Sequence, residues 1–383
     1  MTDALAGLKV LDFSRVLAGP FAGRMLCDLG ADVVKVEPPE GDVTRLWGKE
    51  IGGIRGYFNQ QNAGKRNLSV NLGEADGVAL VKRLVAEADV LIENFRPDVM
   101  GRLGLSYEVL KEINPRLIML SISGFGAGNE QSRRAAYAPI VHAEVGIVDR
   151  QATIYGSHPA DMALSVADTN ASLHGLVGLL TALLHRQATG EGEHVEISMV
   201  DATMVTNDGM HYALDQVRRP PPNEVFTTSA GNLMIAGDFR FIWHQLKNVV
   251  GLQDGLAEEV SLEEKIATRR ALANKYFNET LTTREEVIAA LDKMNLAWGD
   301  VRDMGEIVDL PSVKARGSVV EIDDRAGGTR PVPQSPYRFE NISAYVRGGS
   351  AHLGEHNSEV LKDWLGLSAG EVETYRDVLV HDE

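Results

Sequence analysis

A carboxylate, Asp168, stands near the start of an otherwise small and apolar stretch, ALSVADTNASLHGLVGLLTALL (163–184). Two kinds of chemistry suit it. As a cap it would accept the unpaired N–H groups of a helix's first turn, where the helix dipole also favours negative charge. Between apolar walls it could instead serve as a nucleophile or a base. A second group is basic: Arg15, Lys65, Arg66, Arg96 and Arg102 all fall at or near predicted strand ends or the loops that follow them. Ligands bind along one such edge of an open parallel sheet. Cations gathered there would hold a polyphosphate or a carboxylate, although any one of them could equally be solvated surface charge.

Other chemistries lack their residues. The segment SRVLAGPFAG carries Gly19 and Gly23 but no G-x-G-x-x-G. Pro20 stands where a pyrophosphate loop needs N–H donors, which argues against a nicotinamide or flavin site. A phosphate P-loop is also missing. The ten histidines are scattered without an H-E-x-x-H, and the single cysteine, Cys27, cannot supply a thiolate metal set, so no metal is expected. The nucleophile elbow G-x-S-x-G of serine hydrolases is absent.

The elements that must position these groups can be read from periodicity. LKVLDFS is a predicted strand, Pro20 can open a helix at its first position, and FAGRMLCDLG carries that helix to Gly30. DVVKVEPP is the next strand. Strand, helix, strand within some thirty residues is a βαβ unit and implies a parallel sheet. RNLSVNL, DVLIENF, PRLIMLSISGF and HVEISMV continue the strands. GEADGVALVKRLVAEA, the region around Tyr107–Ile113 and Asn170–Gln187 supply the helices.

The fold class is therefore α/β: a large Rossmann-like parallel-sheet domain over 1–217, a smaller α/β domain over 225–325, and a C-terminal segment, 338–383, returning to the first. Proline-rich RRPPPNE (218–224) reads as a linker and GGTRPVPQSPYRF as a second irregular connector.

A chain of 383 residues is long for one hydrophobic core. A formal charge of −16 argues against nucleic acid or an anionic membrane as partner. No apolar run approaches the roughly 20 residues of a membrane helix. The N-terminus lacks the pattern of a signal peptide. A lone cysteine fits a reducing, cytoplasmic setting.

Several segments together resemble one family. LAGLKVLDFSRVLAGPFAGRMLCDLGADVVKVEPPEGDVTR, GKRNLSVNL and ADVLIENFRPDVMGRLGLSYEVLKEINPRLIMLSISGFG are similar to the class III CoA-transferases, among them formyl-CoA and carnitine CoA-transferases, with the α-methylacyl-CoA racemases as close relatives. RQATGEGEHVEISMVDA and LGEHNSEVLKDWLGLS match later landmarks of that family. The resemblance is weakest from about 205 to 300, and covers nearly all the rest.

It implies that Asp168, in a pattern resembling D-x-N-x-x-x-H with Asn170 and His174, is the catalytic nucleophile. CoA would pass between an acyl-CoA donor and a small carboxylic acid through mixed anhydrides and an aspartyl-CoA thioester, with no tightly bound cofactor. It implies CoA contacts at Val16, Leu17 and Ala18, at Val70, Asn71, Leu72 and Gly73, and at Asn94, Phe95 and Arg96. Further contacts fall at Arg102, expected to meet a phosphate, and at Arg134, Ala135, Ala136 and Tyr137. It also implies an interlocked homodimer, with 218–224 and 327–337 as crossing segments.

Departures from the pattern are informative. Leu17 replaces a Gln of formyl-CoA transferase, which argues against formate and oxalate. Pro38 replaces an Arg that meets the adenosine phosphate. The glycine-rich loop that shields the intermediate has no clear counterpart around 220–240. The racemases place a His where Tyr137 stands, and tyrosine is a poor general base at neutral pH. His142, one helical turn on, could be offered as the missing base, or could be an ordinary helix histidine beside Glu144. A CoA-binding module without catalysis is a third reading.

Overall fold

The short β-branched runs of the N-terminal half form one six-stranded sheet in the computed structural model, which describes residues 2–217, 224–257 and 259–380. Its strands are β1 (Lys9–Asp12), β2 (Asp32–Glu37), β3 (Arg66–Ser69), β4 (Val90–Glu93), β5 (Ile118–Ser123) and β6 (Glu193–Ser198). They lie in the order β3-β2-β1-β4-β5-β6, and every pairing is parallel. A parallel sheet is covered on both faces, so its strands read as continuous apolar runs. Val10, Leu11, Val90, Leu91, Ile92 and Leu120 are all fully buried.

Helices α1 (Ala18–Asp28), α2 (Ala75–Glu87), α3 (Tyr107–Ile113), α4 (Ala138–Glu144), α5 (Ile147–Tyr155), α6 (Val166–Thr189) and α7 (Met199–Thr206) follow the strands. One face of the sheet packs Leu80, Leu84 and Leu110 together with Val360, Leu361 and Trp364 of a helix at Asn357–Leu365. The other face packs Ala22, Met25 and Leu26 of α1, Val141 of α4, and Ala171, Leu176 and Leu179 of α6. Each valine, leucine or methionine among them contributes roughly 1.5–3 kcal/mol on burial. The C-terminal segment is tied in by polar bonds as well. Trp364 donates its indole N–H to Asp32 at 2.8 Å, and Asn357 accepts the Ser69 N–H at 2.9 Å.

Strand order reverses between β1 and β4, and that reversal opens a crevice beyond their C-terminal ends. The turn leaving β1 is tight: a Cβ on Gly19 would lie 2.0 Å from that of Ser14. Helix α1 begins at Ala18, so Pro20 is its third residue rather than its first. Its missing N–H still costs nothing there, because first-turn N–H groups have no partner within the helix.

The chain divides into two compact units, residues 1–210 with 312–383, and residues 211–311. The second unit holds an antiparallel sheet of β7 (Glu224–Thr228), β8 (Gly231–Ile235) and β9 (Trp298–Asp300). Helices at Phe239–Val249, Leu262–Lys275 and Arg284–Lys293 accompany it, around a core of Phe226, Leu233, Ile242, Trp243, Phe277 and Leu291. Residues 218–223 of the linker candidate lie outside the described residues. The second connector is irregular at both ends but not in its middle. Thr329–Pro333 is a strand paired antiparallel with Val319–Asp323, and its prolines, Pro331 and Pro333, sit two apart on a two-stranded edge. Proline is confined to such edges, where no partner asks for its missing N–H. Among the described residues no helix is long and apolar enough to cross a membrane.

Candidate active site

A cavity of about 460 Å³ fills the crevice at the strand-order reversal. The loop after β1 gives it Arg15, Val16 and Ala18, and the loop after β4 gives Asn94, Phe95, Arg96, Pro97 and Val99. From β5 onward come Ile122, Ser123 and Gly124, followed by Ser132 and Arg134–Tyr137. Asp168 and Met199 enter from the first turns of α6 and α7. Gly124 is needed because a Cβ there would lie 2.3 Å from that of Ala136.

Asp168 is 8 % exposed and opens onto this cavity. It does not cap its own helix. The N-cap position is Ser165, and Asp168 is the third helical residue. Its carboxylate instead faces the backbone N–H groups of Ala138 and Ala18, the first residues of α4 and α1, near enough for both to favour its charge. Burial pushes its pKa up to about 6, against the pull of the Ala138 and Ala18 N–H groups. Taking a carboxylate out of water disfavours its charged form, while donated hydrogen bonds favour it. The group is therefore ionised at neutral pH yet more basic than an ordinary aspartate.

The α6 terminus is satisfied by His142, which is fully buried. Its Nε2 accepts the Ala167 N–H at 3.1 Å, and its Nδ1 lies 2.8 Å from an Asp161 carboxylate oxygen. An acceptor at Nε2 leaves the proton on Nδ1, shared with Asp161. His142 is thus engaged at both nitrogens and is not a free base over the cavity.

The expected ligand contacts divide. Val16, Ala18, Asn94, Phe95, Arg96, Arg134, Ala135, Ala136 and Tyr137 come together with Asp168. Leu17 does not line the cavity; it is buried at the N-cap of α1. Val70 pairs with Leu379 and the Asn71 N–H donates to the Val378 carbonyl at 2.8 Å, so the chain's C-terminal segment covers Val70 and Asn71; neither these nor Leu72 and the exposed Gly73 line the cavity. Arg102 also lies off the cavity, with its side chain 64 % exposed and an ion pair to Asp98 at 3.3 Å.

The basic group splits for a related reason. Lys65 and Arg66 sit at the N-terminal end of β3, the edge opposite the crevice. Lys65 is buried against Asp12 at 2.7 Å, and Arg66 binds Asp32, Glu359 and Asp363. Arg15 and Arg96 reach the cavity, exposed and without a carboxylate partner among the described residues. Arg134 reaches it paired with Glu144 at 2.6 Å and stacked over Phe125.

Tyr57 was not anticipated. It lies on the short helix Gly56–Asn62 in edge contact with Trp47, and its hydroxyl is pushed up to about 12 by burial and by the charges of Asp168 and Asp42. Ser123 and Met199 were missed as well. Only the glycine ending the SISG run hinted that the chain passes close to a ligand there.

Residues 5–357 match CoA-transferase family III. The chain is 33 % identical to succinate–glutarate CoA-transferase of Agrobacterium fabrum (strain C58 / ATCC 33970), over 94 % of this chain and 95 % of that one. It is 31 % identical to formyl-CoA:oxalate CoA-transferase of Escherichia coli O157:H7 (strain EC4115 / EHEC), over 97 % and 98 %. Among solved structures, a CAIB/BAIF family protein from Brucella suis superposes with a TM-score of 0.79 at 31 % identity, covering 95 % of this chain and all of that one. With the β1–β4 crevice, its acid residue and these relatives in view, the chain belongs to CoA-transferase family III and is an enzyme of that class.

Proposed function

We propose that the protein moves CoA from an acyl-CoA donor to a small carboxylic acid, with Asp168 as the covalent nucleophile. The observation that carries this reading is one buried carboxylate that opens onto the crevice, beside the helix-opening residues Ala18 and Ala138. The Asp168 carboxylate attacks the thioester carbonyl, the C–S bond breaks, and CoA leaves as its thiolate, giving a mixed anhydride. The thiolate attacks the aspartyl carbonyl and expels the donor carboxylate, leaving an aspartyl-CoA thioester. The acceptor carboxylate attacks that thioester and releases the thiolate once more. The thiolate then takes the acceptor's acyl group and frees Asp168. Covalent catalysis divides one hard exchange into easier steps. The N–H groups of Ala18 and Ala138 are placed for charge that moves on and off the Asp168 oxygens.

Arg15, Arg96 and Arg134 suit an anionic ligand entering the cavity. A small carboxylic acid as acceptor accords with relatives named for formyl-CoA and oxalate, succinate and glutarate, and succinyl-CoA and L-malate. Racemisation would need a second base across the α-carbon. The cavity offers Tyr137 there, and His142 is committed to Ala167 and Asp161.

The protein works as a homodimer, interlocked as the resemblance implies, in a reducing cytoplasm that suits its one buried free cysteine, Cys27. Leu173, Val177, Leu180 and Leu184 form an exposed apolar stripe along α6, a surface a second copy would cover. Light scattering should give twice the 41.7 kDa chain mass at micromolar concentration, and a monomer would contradict the dimer. The reaction is tested by incubating donor acyl-CoA and carboxylic acids in deuterated buffer. New acyl-CoA without α-deuterium supports transfer; α-deuterium without new acyl-CoA supports the racemase.

A further inference from the structure

Val16 lines the cavity with φ of +68°. Of the four described non-glycine residues with positive φ it is the only β-branched one. Such a residue is a conformational outlier, and it persists only where its surroundings over-determine it. The turn around it is held by buried side chains, one peptide group after another. Asp12 accepts the Ser14 N–H at 3.1 Å, and Lys35 donates its ammonium to the Ser14 carbonyl. Asn94 clamps Arg15 from the β4 loop, accepting its N–H and donating to its carbonyl, both at 2.8 Å. Asp42 accepts the Val16 N–H on Oδ2 at 3.1 Å.

Asp42 and Lys35 are themselves buried and paired at 3.2 Å. The other Asp42 oxygen takes the N–H and hydroxyl of Thr44, at 3.0 and 2.9 Å. A buried ion pair is a poor source of stability. This one spans β2, the segment beyond it and the β1–α1 turn, two residues before Ala18, which opens α1 on the cavity wall that Asp168 shares.

We infer that Asp42, locked by Lys35, is a positioning residue: its Oδ2 keeps Val16 left-handed and so aims the opening N–H of α1 at the Asp168 carboxylate. The inference rests on the transferase reading for its effect on rate, and on the turn's hydrogen bonds for its structural part. Asp42 touches no reacting atom. It acts through Val16.

The test uses Asp42→Asn in the full-length enzyme. An amide has one accepting oxygen where the carboxylate has two, so either the Thr44 side or the Val16 side loses its acceptor. Hydrogen exchange read by mass spectrometry on peptides covering 13–18 should quicken at least about tenfold, since a lost bond of about 1.4 kcal/mol is tenfold in opening. Turnover should fall ~10- to 100-fold, as expected when a reacting group is misplaced by about an ångström.

The decisive comparison repeats the substitution in a Val16→Gly background. Glycine takes the left-handed conformation freely, so it needs no tether. There Asp42→Asn should cost several-fold less turnover than in the native background, a coupling that a merely structural Asp42 would not show. An equal loss in both backgrounds, or unchanged exchange at 13–18, overturns the inference. If Asp42→Asn does not fold, Lys35→Gln is read by the same exchange measurement. Asp168→Ala is run alongside: full turnover by that variant would sink the transferase reading, while the exchange result would still decide whether Asp42 holds the turn.

Discussion

The two ends of α1 present the same chemical group in opposite circumstances. At the N-terminal end the N–H of Ala18 faces the carboxylate of Asp168; at the C-terminal end stands Asp28. Burial pushes both carboxyls up to about 6. Asp168 opens onto a cavity, whereas Asp28 is fully enclosed and neither of its oxygens has a hydrogen-bond partner among the described residues. Its closest cation, Arg24, keeps its Nε 3.7 Å away. The helix dipole compounds the difference, favouring negative charge at the first end and opposing it at the second. A raised pKa therefore does not identify chemistry. Access to the cavity separates the proposed nucleophile from a buried liability.

The comparison breaks most visibly in activity. Asp168→Ala should lower CoA transfer on the order of 10⁴-fold, as expected for a removed nucleophile. Asp28→Asn should leave turnover within about threefold. The acid limb of kcat/KM against pH should lie near 6 and persist in Asp28→Asn, because on the proposed mechanism only Asp168 must be ionised to react. A limb that moved with Asp28 would merge the two groups' roles.

Stability sharpens the contrast. A carboxyl whose folded pKa of about 6 exceeds its ordinary value of 3.8 disfavours the fold in its ionised form. The cost is absent below the lower value, grows as pH rises between the two, and is complete above the higher. Asp28→Asn should therefore be neutral at pH 3 and stabilising by about 2–3 kcal/mol at pH 8. Denaturant melts at the two pH values check this, and equal effects at both would contradict it.

The smallest effect belongs to the cavity's cations. Arg96→Ala should raise the KM for acyl-CoA several-fold and leave kcat within about twofold, because a contact remote from the thioester binds ground and transition states alike. Steady-state kinetics would show an unchanged KM if Arg96 faces only solvent.

Much of this arrangement is legible in the sequence, for reasons that also mark its limits. The parallel strands announce themselves as buried apolar runs such as VLIE and IMLSIS, and the turns after β1 and β4 then follow from strand order. Asp168 stands out because a charged residue interrupts an apolar helix. Lys65 and Arg66 mislead because periodicity shows that a residue lies at a strand's end without saying which end will meet a ligand. The strand Thr329–Pro333 is hidden by prolines that only an edge tolerates. Val70 and Asn71 are covered by the residues around Leu379, about three hundred positions away in the chain, and no local pattern foretells that pairing. Tyr57 comes near Asp168 through the same kind of tertiary contact.

The central claim is that Asp168 becomes covalently activated. Enzyme mixed with donor acyl-CoA and quenched with hydroxylamine should carry a hydroxamate on the peptide containing Asp168, because anhydrides and thioesters both yield to that nucleophile. Mass spectrometry of the digest should find the modification in the wild-type protein, only when acyl-CoA is present, and not in Asp168→Ala. An unmodified Asp168 peptide from enzyme that is turning over would contradict the account.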